Sequence, residues 1–336
     1  MARSDLIVGL VRSGLDGNKE YFLKVVEAII TEERAARRLA VAQQLEDSLT
    51  AAKEKARRGL VFIEGAPGCY EATPKLKISD LTLSDETLGA CRELVEEQRQ
   101  AKTLRECGLE PRNRVLLVGP PGNGKTSLAE AIASELAVPL VVVRYDALIG
   151  CYLGETAAQL RKVFDHAASQ RCVLFFDEFE TLAKERGDLH ETGELKRIVS
   201  ALLLQLDGLP SHTVAVAATN HPEMLDRAAR RRFQLKIEMP NPDAALLERW
   251  FEAFRRRVGT DLGLEPADLA RRFAGASFSD VAEFGMTARR RCALGGQGAD
   301  MSAIIARALN SLPAFTAGPD GQSQTTTPRR AEQACV

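Results

Sequence analysis

Apolar positions change their spacing twice along this chain, and the changes divide it. Over residues 4–57 they recur at helical intervals. Ser4 is placed to cap a short helix carrying Ile7, Leu10, Val11 and Leu15, which Gly14 and Gly17 interrupt. From Asn18 a longer pattern runs through Phe22, Val25, Val26, Ile29, Ile30, Leu39 and Leu45 with charges between, as an amphipathic helix requires. Residues 59–75 carry glycines and prolines around a short LVFIE and read as a linker.

From about residue 76 the texture is different. Short apolar runs alternate with amphipathic stretches: RVLLVG (114–119), LVVVRYD (140–146), CVLFFDE (172–178), VAVAATN (214–220) and LKIEMP (235–240). Runs of this kind, separated by helical patterns, predict an α/β fold with a five-stranded parallel sheet between layers of helices. Pro240-Asn241-Pro242 then punctuates the chain. The expected organisation is an N-terminal helical segment (1–58), the linker (59–75), a large α/β unit (76–242), a small helical unit (243–312) and a tail (313–336). The tail, polar and poor in aromatics, is expected to be disordered.

Composition acts mainly by exclusion. The chain has 336 residues with 45 basic and 46 acidic side chains, so no global positive field argues for nucleic acid or an anionic membrane. No apolar run approaches the length of a membrane span, and the opening MARSDLIVGLVRSG has too short an apolar stretch for a signal peptide. The seven cysteines are scattered and never spaced CxxC, and the four histidines do not cluster. Neither a disulfide framework nor a zinc site is indicated, and the expected compartment is a reducing cytoplasm.

The chemistry begins at Gly119-Pro120-Pro121-Gly122-Asn123-Gly124-Lys125-Thr126, which is GxxxxGKT directly after one strand and before the helical SLAEAIASELA that opens at Ser127. Glycines there let backbone N–H groups wrap phosphates without Cβ clashes, and the helix N-terminus adds its dipole. Lys125 supplies a point charge to the β/γ-phosphates, and Thr126 a hydroxyl to Mg²⁺. Asp177 and Glu178 close the third strand, where Asp177 can hold Mg²⁺ through its water shell and Glu178 can polarise an attacking water. Asn220 is a polar tip on the apolar fourth strand, placed to orient that water. RAARRRF (227–233) is either a solvated charged face or a source of arginine for transition-state charge on phosphate. Spacing alone does not separate the two uses.

Together these residues resemble the AAA branch of the AAA+ P-loop ATPases, which includes katanin, spastin and the proteasomal ATPases. GPPGNGKT and VLFFDE match the two Walker segments. HETGELKRIVSALLLQLDGL (190–209), AATNHPEMLDRAARRRF (217–233) and GASFSDVAEFGMTARRRCAL (275–294) look like the family's later segments in the right order. The resemblance covers about 76–311. It implies ATP hydrolysis with Mg²⁺, Asn220 as the sensor of the γ-phosphate, and Arg231 and Arg232 reaching into a neighbour's ATP, hence a homo-oligomeric ring, usually a hexamer. It makes 243–312 a helical lid. Two departures stand out: Asn123 where many relatives have Thr, and Phe278 where a Gly often approaches the nucleotide.

The loop IGCYLGET (149–156) fits the same resemblance. There an aromatic–hydrophobic–Gly triplet, here Tyr152-Leu153-Gly154, projects into the ring's pore. An aromatic grips a polypeptide by apolar and stacking contact without reading its sequence. The implied activity is a protein remodeller or unfoldase acting on a protein client, with a second pore loop near 187–194. A dedicated regulator of one partner enzyme is an alternative. The N-terminal stretch is similar to small bacterial AAA ATPases paired with subtilisin-like serine proteases in plasmid-stability or phage-defence systems. A nucleic-acid motor or loader is a third reading, carried by the basic clusters 34–38 and 53–58 and opposed by the near-zero net charge.

Overall fold

In the computed structural model of the 336-residue chain, the structure describes residues 19–35, 38, 41–43, 45, 47, 60–63, 69–144, 153–182, 192–296, 300–310, 315–317 and 323–325. The chain divides into two compact units, Met1–Val61 and Phe62–Val336. In the first, α1 (Lys19–Ala35) lies where the amphipathic pattern places a helix, with Val25 and Ile30 buried. The short helix expected after Ser4 falls outside the described residues. Arg38, from the first basic cluster, is paired with Glu33 at 3.3 Å.

β1 spans Leu60–Phe62. The second unit continues with β2 (Cys69–Ala72), α2 (Asp85–Arg99), α3 (Ala101–Glu106), β3 (Arg114–Val118), α4 (Lys125–Glu135) and β4 (Leu140–Val143). There follow α5 (Leu153–Ala168), β5 (Val173–Phe176), α6 (Thr192–Asp207), β6 (Val214–Thr219), α7 (Arg227–Arg230) and β7 (Leu235–Glu238). The five expected strands form a parallel array in the order β4-β5-β6-β3-β7. β2 departs from the linker reading. It pairs antiparallel with β4, Cys69 opposite Val143 and Ala72 opposite Leu140, and so adds a strand to the sheet. Its CYEA has one buried position and no apolar run, which is why it does not read as a strand.

Period-two alternation sends neighbouring residues of each strand to opposite faces, and both faces are buried. Leu116, Val118, Leu174 and Phe176 face α5 and α6, meeting Leu160, Phe164 and Leu202. Val115, Leu117, Val173 and Phe175 face α2 and α4, meeting Leu94, Leu128 and Ile132. A sheet sandwiched this way holds its strand ends rigidly, and the carboxyl ends of β3, β5 and β6 carry the polar residues singled out above. The entry to β3 is also pinned. Arg112 binds Glu97 of α2 through its backbone N–H (2.9 Å) and Nε (2.8 Å), and Glu93 through Nη2 (2.8 Å).

A second core belongs to α8 (Ala244–Val258), α9 (Pro266–Arg272), α10 (Phe278–Leu294) and α11 (Met301–Leu309). Phe251, Phe273 and Phe284 pack tilted and edge-on through its centre, with centroids 5.4 and 4.9 Å apart. Within the tail, β8 (Phe315–Ala317) pairs antiparallel with β9 (Ser323–Thr325), and the rest of the stretch expected to be disordered lies outside the described residues.

The Arg112 guanidinium holds the Glu97 carboxyl below the ordinary glutamate range, its hydrogen bond being the largest cause. The charged form is therefore favoured in the folded chain. Its contribution is complete above the ordinary range and disappears as pH falls through the lowered value. Glu97→Gln is expected to lower stability at pH 7 and to flatten the loss of stability below about pH 5. Urea midpoints across pH would check this, and parallel curves for both proteins would refute it.

Candidate functional site

The loop between β3 and α4 is shaped by two close approaches. A Cβ on Gly119 would lie 2.1 Å from the carbonyl oxygen of Met239, beyond the end of β7. Gly122 has φ +82°, and a Cβ there would lie 2.2 Å from Ser279 Oγ. Glycine is required at Gly119 for space, because the atom it meets is backbone, and at Gly122 for conformation. Gly124, also at φ +82°, is the residue from which α4 starts. The first N–H groups of α4 have no intrahelical acceptor, so with the helix dipole they form a ready cradle for an anion.

Lys125 is buried and donates three hydrogen bonds, to the carbonyls of Gly119 (2.7 Å) and Pro120 (2.9 Å) and to Asn220 Oδ1 (2.6 Å). Burial lowers the pKa of its ammonium, and the carboxylates of Glu180 and Asp177 oppose that shift. Thr126 Oγ1 lies 3.3 Å from Asp177 Oδ2, so a hydroxyl and a carboxylate converge at the helix start. This oxygen pair fits a hard divalent cation. Glu178 is exposed beside them. Its backbone is left-handed, φ +48°, and its N–H donates to Asp177 Oδ1 at 3.0 Å. A left-handed glutamate is strained.

Lys125, Thr126, Asp177, Glu178 and Asn220 line one cleft of about 890 Å³, whereas Gly119 and Pro120 lie outside its wall. Pro121, Gly122, Asn123, Gly124 and Ser127 lie in its wall, as do Trp250 and Phe254 from α8 and Phe278 from α10. Trp250 and Phe254 stack at 5.3 Å, nearly parallel. The wall thus offers polar groups around the loop and aromatic surface on the helical side.

The three arginines at the end of α7 and just after it separate. Arg230 donates to the carbonyls of Leu225 (3.1 Å) and Pro222. Arg232 donates to Asp207 Oδ2 (2.8 Å), and Asp207 Oδ1 also accepts from Arg114 at the start of β3 (2.9 Å). Arg231 is exposed and makes no side-chain hydrogen bond among the described residues. Neither Arg231 nor Arg232 lines the cleft. Tyr152 lies outside the described residues. Leu153 is described only as the first residue of α5, and the expected second pore loop is described only from Thr192.

Two contributors are not apparent in the sequence reading. Glu180 is buried, its Oε1 accepting the backbone N–H of Asn220 at 3.0 Å while Oε2 has no partner among the described residues. It fixes the strand tip that presents Asn220 to Lys125. The signal was a third acid two residues beyond Glu178, which looks like another solvated charge. Asp207, the acid of LDG, is the second. The buried thiols of Cys69, Cys91 and Cys172 are raised to about 11, 12 and 12 by burial and are not nucleophiles at neutral pH.

A glycine loop opening into a helix, a buried lysine at its base and a hydroxyl–carboxylate pair beside it define the phosphate site of a P-loop nucleoside triphosphatase. The model of the ATPase family associated with various cellular activities (AAA) matches residues 115–241. The AAA family ATPase y4kL of Sinorhizobium fredii, itself described as uncharacterized, is 37% identical over 289 residues, covering 84% of this chain and 86% of the relative. The peroxisomal ATPase PEX6 of Saccharomyces cerevisiae is 32% identical over 69% of this chain but only 23% of its own length. The ATP-dependent zinc metalloprotease FtsH 2 of Bdellovibrio bacteriovorus is 32% identical over 74% of this chain and 42% of its own. The chain belongs to the AAA family of ATPases.

The strain at residue 178 can be measured. Glycine adopts a left-handed backbone freely and alanine does not, so Glu178→Gly is expected to be more stable than Glu178→Ala by about 1 kcal/mol. Chemical denaturation of the two variants would read the difference, and equal stability would remove the claim of strain.

Proposed function

We propose that this ATPase is a protein remodeller that works as a ring, each subunit hydrolysing ATP with help from its neighbour. The observation that carries the ring is the place of Arg231: exposed, unbonded among the described residues and absent from the wall of its own cleft. An arginine set apart from its own phosphate site is available to one on another subunit. Arg232, anchored on Asp207, would hold the turn from which Arg231 extends. The family adds support, since its relatives include the proteases and peroxisomal ATPases named above.

ATP fits the cleft, its phosphates on the loop and its base against the aromatic wall of Trp250 and Phe254. Mg²⁺, when bound, neutralises charge on the β- and γ-phosphates. Thr126 and Asp177 are the residues to hold it, Asp177 through water. Lys125 turns from the loop carbonyls to the γ-phosphate, and Asn220, kept in place by Glu180, orients the water in line with it. Glu178 accepts that water's proton as the bond to phosphorus forms and the β–γ bridge breaks, giving ADP and phosphate. Tyr152 and Leu153 would grip the client polypeptide as the subunit moves between nucleotide states.

Glu178→Gln keeps shape and loses the base, so hydrolysis is expected to fall by about 10²–10⁴-fold while ATP still binds. Phosphate release and a binding titration on the same preparation test this. Unchanged turnover would exclude Glu178 as the base. For the remodelling step, Tyr152→Ala is expected to abolish unfolding of a client captured by the Glu178→Gln variant and to leave basal ATPase activity intact. Client processing at the wild-type rate by Tyr152→Ala would sink the pore-grip reading, and ATP turnover that does not depend on protein concentration would sink the ring.

A further inference from the structure

Asn123 sits at the tip of the phosphate loop and is 2% exposed. Its amide reaches three partners on two segments. Oδ1 accepts the backbone N–H of Phe278 at the start of α10 (3.3 Å). Nδ2 donates to Asn241 Oδ1 (2.9 Å) and lies 3.4 Å from the carbonyl oxygen of Met239. The Phe278 N–H can only donate and the Met239 carbonyl can only accept, so the surroundings fix which end of the amide is which. Asn241 passes the connection on, its Nδ2 donating to the carbonyl of Gly275 at 3.4 Å.

A second strut runs alongside. Ser279 N–H donates to the carbonyl of Gly122 at 2.9 Å, and the missing Cβ of Gly122 lets Ser277 and Ser279 close onto the loop. The end of α10 that makes these contacts is stiff. Ser277 Oγ accepts from Asp280 N–H at 3.3 Å, and Asp280 Oδ2 accepts from Ser277 N–H at 2.8 Å, a reciprocal cap. Loop tip, the connection after β7 and the first turn of α10 are thus one hydrogen-bonded body. Buried amides satisfied at both ends set geometry strongly, because breaking one bond strands its partner.

We propose that Asn123 and Asn241 form a relay by which the phosphate loop fixes the orientation of the helical bundle 243–312, so that the bundle follows the state of the loop. Asn123 is a positioning residue in this scheme. Threonine at the same position has a single hydroxyl, which can donate once and cannot reach all three partners. The relay's link to occupancy rests on the reading that a nucleotide binds the loop.

The test uses the full chain as wild type, Asn123→Thr, Asn241→Ala and the double variant, with ADP as ligand. Hydrogen exchange of the Phe278 and Ser279 amides is measured without nucleotide and with ADP, next to an ADP titration and steady-state ATPase parameters. Each single variant is expected to speed exchange of both amides by about tenfold in the nucleotide-free chain, and the double variant no further. KM for ATP is expected to rise by more than kcat falls. ADP should slow the two amides in the wild type and fail to do so in Asn241→Ala. Additive effects, or wild-type exchange in Asn241→Ala, would overturn the relay. Absence of ADP binding by the wild type would overturn the nucleotide reading and its link to the bundle, while exchange in the free chain still decides whether the latch exists.

Discussion

Everything in the site turns on keeping one ammonium group out of bulk water. Lys125 stands at the head of α4, where Leu128 and Ile132 below it are fully buried, and burial disfavours its charged form. Two loop carbonyls and the Asn220 amide oxygen replace the lost water. That requirement shapes the surroundings. The loop must curl so that the carbonyls of Gly119 and Pro120 face inward, which brings Gly119 against Met239 and leaves no room for a side chain. Asn220 must present its amide from the end of β6, which is what Glu180 secures.

The sheet supplies the stiffness this arrangement needs. With helices on both faces, strand ends have little freedom, and polar residues at neighbouring carboxyl ends are held within hydrogen-bonding reach although they are far apart in sequence. Lys125 and Asn220, 95 positions apart, meet for that reason. Arg112 and Asp207 fix the entry to β3 at the opposite end, one through Glu97 and Glu93, the other through Arg114.

Most of this architecture was legible because continuous apolar runs and the GxxxxGKT spacing report directly on burial and on backbone conformation. The five parallel strands read out as runs of Val, Leu, Phe and Ala. β2 did not, since a strand of four residues with a single buried position carries no alternation long enough to see. In the site, Lys125, Thr126, Asp177, Glu178 and Asn220 were visible from their places at strand and helix ends. Glu180 and Asn241 were not: each acts through a hydrogen bond to a residue tens of positions away, and an acid or an amide in a polar stretch looks the same whether it faces solvent or a backbone donor. The arginine run shows the limit most plainly. Only three-dimensional neighbours distinguish Arg230, folded onto its own loop, and Arg232, held by Asp207, from Arg231.

The left-handed backbone at Glu178 also bears on inheritance. Folding favours glycine or asparagine there, whereas the proposed chemistry requires a carboxylate, so the residue is kept against the grain of stability. A descendant copy no longer asked to hydrolyse ATP would feel only the first of these pressures. Position 178 would then be among the earliest to drift, and toward residues that fit the turn, not toward random ones. A lineage with Gly or Asn at this position and an intact phosphate loop would be one that had kept the nucleotide as a structural ligand and given up its turnover.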